Sequence, residues 1–246
     1  MHLIRFSMAT LRLPNPVFVA LDTPDLGEAL RLAKAVGPSV GGFKIGLEFI
    51  TAQGPRGIEA IVALGRPVFS DMKFHDIPNT VAGASKALAR LGVSIFNVHV
   101  AGGEAMMRAC VEAARSIDAK VRVIGVTVLT SIDDAELEKV GQIGPARAQV
   151  ERLARFAKAS GLDGVVCSPQ EIALVRKACG KDFLIATPGV RPAGADLADQ
   201  RRVTAPADAL AAGSDVIVIG RPITGAADPA AAARSIADEL KLACVG

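Results

Sequence analysis

The 246-residue chain contains no tryptophan and no tyrosine. A phenol is therefore excluded as a catalytic acid, and neither an indole nor a phenol is available to stack on a base. No apolar run reaches the ~18 residues a membrane-spanning helix needs, so no membrane partner is expected. The four cysteines, Cys110, Cys167, Cys179 and Cys244, include no Cys-x-x-Cys pair. That argues against a zinc ribbon or a thioredoxin-type motif and fits the reducing cytosol. The net charge of +3 is small, and no basic block carries interleaved aromatics. Nucleic acid is not an expected partner. No Gly-x-Gly-x-x-Gly follows the first apolar run, and neither a Walker-type Gly-Lys-Ser/Thr nor a nucleophile elbow occurs. The N-terminal residues carry Arg5 and Arg12 but no apolar h-region, so a secretory signal is not expected. Residues 1–15 read as a loosely held extension, and Met8 would serve equally well as a start. The expected location is cytoplasmic.

What the chain does have is apolar residues in half its positions, arranged as short runs alternating with helical patterns. Apolar runs with strand character occur at Val17–Leu21, Phe43–Gly46, Pro67–Ser70, Val93–Val98, Val121–Val128, Gly164–Cys167, Phe183–Ala186 and Asp215–Ile219. Helical spacing fills the intervals at Asp25–Val36, Gly57–Leu64, Thr80–Leu91, Glu104–Ile117, Pro145–Ser160, Gln170–Ala178 and Pro206–Ala212. Asp228–Leu242 closes the chain, with Asp228 as N-cap and Pro229 at the first helical position. Residues 193–202 read as a mobile polar loop. Continuously apolar strands suit parallel pairing covered on both faces. About eight strand–helix units in this length predict a single-domain α/β fold, a (β/α)₈ TIM barrel over 16–246. A doubly wound open sheet is the structural rival.

In a barrel the residues just after each strand gather at one mouth. Here they are Asp22, Lys44, Asp71 with Lys73, His99, Thr130, Arg191 and Arg221. The opposite strand ends read as Gly, Pro and small residues. In Asp71-Met72-Lys73-Phe74-His75-Asp76, period-2 alternation puts Asp71 and Lys73 on one face, with Asp76 just beyond. Buried charges must be paired, and such pairs mark sites. Gly220-Arg221, after the eighth strand, and Arg191, after the seventh, suit a phosphate. Asp71, Asp76, His75 and His99 could be drawn as metal ligands, but Lys44 and Lys73 bring ammonium charge into the same volume and disfavour a divalent cation.

The stretch Asp71-Met72-Lys73-Phe74-His75-Asp76-Ile77-Pro78-Asn79-Thr80 closely resembles the signature of the orotidine 5′-phosphate decarboxylase family. Ala20-Leu21-Asp22, Phe43-Lys44-Ile45-Gly46, Asn97-Val98-His99, Val128-Leu129-Thr130, Thr187-Pro188-Gly189-Val190-Arg191 and Ile219-Gly220-Arg221-Pro222-Ile223 match in the same order. The resemblance runs from about Pro16 onward. It implies a homodimeric barrel that converts orotidine 5′-phosphate to UMP and CO₂, the last step of de novo pyrimidine nucleotide synthesis, with no metal and no organic cofactor. It further implies that Lys73 protonates C6 and that Asp71 faces the leaving carboxylate. Lys44 and Asp76 complete an alternating array, with Asp76 reaching into the neighbouring subunit's site. Asp22, Lys44 and the partner subunit's Thr80 hold the ribose. Thr130 lines the base pocket. Gln200 closes over base and phosphate. Arg191, Gly220 and Arg221 hold the phosphate. Two alternatives stand beside this: a Mg²⁺-dependent sugar-phosphate lyase resembling 3-keto-gulonate 6-phosphate decarboxylase, and a non-catalytic barrel that binds phosphate ligands.

Overall fold

Short runs of β-branched and aromatic residues, each too apolar to face water, pair side by side in chain order. The computed structural model describes residues 15–191 and 204–243. Eight parallel strands close on themselves: β1 (Val17–Ala20), β2 (Gly42–Ile45), β3 (Val68–Phe74), β4 (Ile95–His99), β5 (Arg122–Val126), β6 (Gly164–Val166), β7 (Leu184–Thr187) and β8 (Val216–Ile219), with β8 pairing β1. Among the described residues, ten α-helices are distributed around and between them: α1 (Leu26–Val36), α2 (Leu47–Val62), α3 (Pro78–Arg90), α4 (Glu104–Arg115), α5 (Asp134–Lys139), α6 (Ala146–Ala159), α7 (Ile172–Cys179), α8 (Pro206–Ala211), α9 (Arg221–Thr224) and α10 (Pro229–Ala243). The expected (β/α)₈ barrel is the fold, and the open sheet is excluded by the β1–β8 ladder.

Strand alternation creates two cores. Phe18, Phe69, Ile95, Ile124, Leu184 and Val216 point into the barrel and fill its lower lumen. Their neighbours, among them Val19, Phe43, Phe96, Val123, Ile185 and Ile217, point outward against the helices. The inward parity continues upward through Lys44 on β2, Asp71 on β3 and Asn97 on β4. The apolar floor therefore gives way to polar groups one layer higher.

Several boundaries depart from the expected ones. α2 starts at Leu47 rather than Gly57, because it is two helical pieces joined at Gly54, whose φ of +61° breaks the helix before Pro55 restarts it. The third strand runs on through Asp71, Met72, Lys73 and Phe74 instead of stopping at Ser70. α5 and α9 were not expected. The helix starts hold better: Asp25 Oδ1 accepts from Glu28 N at 2.7 Å, and Asp228 Oδ1 accepts from Ala231 N at 2.9 Å. Asn15, read as part of the loose extension, is tied to the barrel. Its Nδ2 donates to Ser39 O at 2.7 Å and its Oδ1 accepts from Val17 N at 2.9 Å. Residues 1–14, Gln200 and the loop around it, and Cys244 lie outside the described residues.

The opposite rim is not the uncharged end that strand starts suggested. Asp163, just before β6, accepts from Arg115 Nη2 at 2.8 Å, Arg122 Nη1 at 3.2 Å and Val123 N at 2.9 Å. Asp215, just before β8, accepts from Arg176 Nη2 at 2.6 Å and Ile185 N at 2.7 Å. These carboxylates each satisfy a backbone amide of the preceding strand, so they tie strand starts together.

Close contact between strands explains Gly164. A Cβ there would stand 2.1 Å from the Leu184 carbonyl oxygen, with backbone rather than a flexible side chain in the way. Gly164→Ala is expected to cost about 1–3 kcal/mol, read as a lower urea midpoint with an unchanged m-value; an unaltered midpoint would show that the β6–β7 contact relaxes freely.

Candidate active site

At the C-terminal ends of the strands the lumen opens into a cavity of about 340 Å³. Its floor is apolar, with Phe69, Val126, Val166, Ala186 and Val218. Asp22, Lys44, Asp71 and Lys73 line it, as do Thr130, Arg191, Gly220 and Arg221. Eight of the residues singled out from the sequence thus share one volume. Asp76 and Thr80 do not line it; they are exposed, beside Ile77 at 66% exposure. His99, expected in the same ring, does not line the cavity either; it is half-buried at the end of β4, where its ring stacks on His75 with centroids 5.4 Å apart. Among the described residues no cluster of three or more His, Cys, Asp or Glu side chains is placed to hold a metal ion.

Two ion pairs organise the cationic side. Lys44, only 8% exposed, donates to Asp22 Oδ1 at 2.6 Å. Lys73 Nζ donates to Asp71 Oδ1 at 2.7 Å. The alternation that places Asp71 and Lys73 together is not that of a regular strand. Ser70 pairs with Phe96 and Phe74 with Val98, so Asp71, Met72 and Lys73 all stand opposite the single residue Asn97. The bulge forces Lys73 to φ +53°, the one non-glycine residue with positive φ among those described. That conformation costs roughly 1–2 kcal/mol and needs compensation.

Asn97 supplies it. The side chain is fully buried, its Oδ1 accepts from Lys73 N at 2.7 Å, and its Nδ2 donates to Asp71 Oδ1 at 2.7 Å. One amide therefore bonds both the displaced backbone of the lysine and the carboxylate that holds its ammonium. The Asn97-Val98-His99 match alone assigns Asn97 no role. The available signal was an amide inside the apolar run Ile95-Phe96-Asn97-Val98, since a buried polar group must find partners.

Across the cavity Arg191 is buried while Arg221 is exposed at the mouth. Arg191 N donates to Thr204 O at 3.1 Å. Three thiols stay clear of reactivity: burial pushes Cys110 up to about 11 and raises Cys167 and Cys179 as well. Cys167 borders the cavity as a small apolar group rather than a nucleophile.

Burial lowers the His99 imidazole below its ordinary value of 6.5, the charges of His75 and Lys73 push the same way, and Asp71 partly opposes them. A folded state that resists protonation is penalised once the unfolded chain begins to bind the proton. His99 therefore contributes no pH dependence well above 6.5 and costs stability as pH falls through it. The wild-type melting temperature is expected to drop more steeply than that of His99→Gln on acidification from about pH 7.5 to 5.5; parallel curves would show that His99 titrates normally.

The family model described as "Orotidine 5'-phosphate decarboxylase / HUMPS family" matches residues 15–236. The chain is 53% identical over 233 residues to the orotidine 5′-phosphate decarboxylase of Paramagnetospirillum magneticum, covering 93% of this chain and 99% of that one. It is 51% identical over 241 residues to the enzyme of the same name from Moorella thermoacetica, covering 96% of each. Among solved structures, orotidine 5′-phosphate decarboxylase from Lactobacillus acidophilus superposes with a TM-score of 0.82 at 37% identity, covering 92% of this chain and 99% of that one.

Proposed function

The chain belongs to the orotidine 5′-phosphate decarboxylase / HUMPS family, and we propose that its cavity performs the orotidine 5′-phosphate chemistry, with Lys73 as the proton donor. It is a carboxy-lyase that makes UMP and CO₂ from orotidine 5′-phosphate in pyrimidine biosynthesis, as its relatives' names indicate. The observation that carries the residue-level reading is the Lys73–Asp71 pair set over an apolar floor, with arginines on the far side.

Breaking the C6–carboxylate bond leaves its electron pair on C6, in a ring orbital with little delocalisation. An ammonium fixed beside that carbon stabilises the developing charge without reorganising at the moment of reaction. Lys73 then transfers its proton to C6, giving UMP and a neutral amine that solvent reprotonates. The adjacent Asp71 carboxylate holds the lysine ammonium in place and faces the departing CO₂. Asp22 and Lys44, already paired, hold the ribose hydroxyls. Thr130 borders the base. Arg191, Gly220 and Arg221 grip the phosphate, and Gln200 contacts base and phosphate. Barrier lowering in enzymes reaches ~23 kcal/mol, more than one lysine supplies. Binding energy from the remote phosphate contributes by orienting the ring over Lys73.

In this reading the enzyme works as a homodimer in the cytoplasm. Asp76 and Thr80 lie off their own cavity, exposed next to Ile77, as residues serving a partner's site would. We take the reaction to need neither metal nor organic cofactor, since Lys44 and Lys73 place two ammonium groups where a divalent cation would compete with them.

Mixing the protein with orotidine 5′-phosphate in excess EDTA and following orotate absorbance tests the activity. Full turnover is expected; activity that EDTA abolishes and Mg²⁺ restores would favour the sugar-phosphate lyase type. Lys73→Ala is expected to lower kcat by at least about 10³-fold with only modest loss of UMP affinity, and near-normal kcat would remove Lys73 from the chemistry. Arg221→Ala is expected to act mainly through KM; unchanged KM and kcat/KM would put the phosphate elsewhere.

A further inference from the structure

We propose that Asn97 is a positioning residue for this reaction, setting the Lys73 ammonium and one Asp71 oxygen through a single buried amide. The inference rests on the decarboxylase reading but concerns a residue that never touches the substrate. Asn97 does not line the cavity. It acts from within the wall, where three residues of β3 stand opposite it.

Without Asn97, the bulge leaves two groups unsatisfied. The Lys73 amide, turned out of the strand ladder by φ +53°, loses the oxygen it donates to. Asp71 Oδ1 keeps Lys73 Nζ but loses the donor that fixes the carboxylate plane. A purely structural account gives Asn97 the task of satisfying the bulge amide alone. The second bond, from Nδ2 to the same carboxylate oxygen that holds the ammonium, is the one that account does not need. It couples the height of the lysine backbone to the aim of its side chain, so a shift at either end displaces the proton donor. Misplacing a reacting group by about 1 Å can cost ~10²-fold in rate, which sets the scale expected.

Three variants separate the roles. Asn97→Ala removes both bonds. Asn97→Leu removes them while keeping the interior filled, and serves if the alanine variant does not fold. Asn97→Asp keeps an oxygen for the Lys73 amide but faces Asp71 with a second carboxylate; once protonated, its acid presents one acceptor and one donor, as the amide does. Asn97→Ala or Asn97→Leu is expected to lower kcat about 100-fold with KM changed less than a few-fold. Asn97→Asp is expected to be severely impaired at neutral pH and to recover toward the wild-type rate as pH falls, giving a kcat ratio that rises with acidity. A kcat within threefold of wild type in the folded alanine or leucine variant, a loss carried by KM, or a pH-independent Asn97→Asp ratio would each overturn the proposal. Acylation of Lys73, mapped by mass spectrometry, gives a readout independent of turnover. Faster labelling in Asn97→Leu than in wild type is expected, and equal labelling rates contradict the role. Wild-type turnover in the same series isolates the premise: an inert wild type removes the decarboxylase reading, while the labelling rates still decide whether Asn97 holds Lys73.

Discussion

A lysine ammonium lining a cavity needs a carboxylate beside it, and a carboxylate inside a barrel wall needs a donor of its own. Asp71 Oδ1 meets both requirements at once, 2.7 Å from Lys73 Nζ and 2.7 Å from Asn97 Nδ2. The same asparagine holds the Lys73 amide at 2.7 Å, in a backbone conformation a lysine does not adopt unaided. The charged end of the cavity depends on this knot. If the bulge relaxed into regular strand, the ladder between β3 and β4 would close and the lysine would no longer sit where three residues are gathered opposite one. Strain at one residue, compensated by a rigid neighbour, is how such a conformation persists.

The two ends of the barrel use charge differently. At the strand starts, Asp163 and Asp215 are each engaged by arginine and by a backbone amide. Those interactions are completed inside the wall and serve to lock strands together. At the strand ends, Lys44, Lys73, Arg191 and Arg221 converge on an open volume. Their charges are arranged about a space sized for a small anionic ligand. The apolar lumen beneath, from Phe18 to Val216, keeps that array from sinking into the core and lowers the local dielectric, which strengthens each charge acting on a bound ring.

The barrel was legible because its physics is periodic: apolar runs covered on both faces, separated by helical spacing. The mouth was legible because chain order alone brings strand ends together, and so Asp22, Lys44, Asp71, Lys73, Thr130, Arg191 and Arg221 share one cavity. What stayed hidden was local and irregular. Alternation correctly put Lys73 beside Asp71, yet for an incomplete reason, because the strand carries a bulge there and Lys73 has positive φ. No single residue type announces such a bulge. Gly54 and Pro55 concealed the first half of α2 by interrupting its spacing. The charged lower rim was misjudged because Arg115 and Arg176 reach it from helices, across distances in sequence that no local pattern connects. Asn97 carried a signal, an amide within an apolar strand, but its partners could only be identified in three dimensions.

In the proposed mechanism the cavity is complementary to negative charge on one ring carbon, and not merely to a nucleotide monophosphate. Groups that stabilise a transition state also favour a stable molecule that imitates its charge, commonly by ~10²-fold or more over the neutral ligand. The decisive measurement is the ratio of dissociation constants, by calorimetry, for UMP and for a uridine-like 5′-monophosphate carrying an anionic oxygen at C6. The anionic ligand is expected to bind more tightly by orders of magnitude, with most of this preference vanishing in Lys73→Ala. Equal affinities for the two ligands in the wild type, or a preference that survives removal of Lys73, would contradict it.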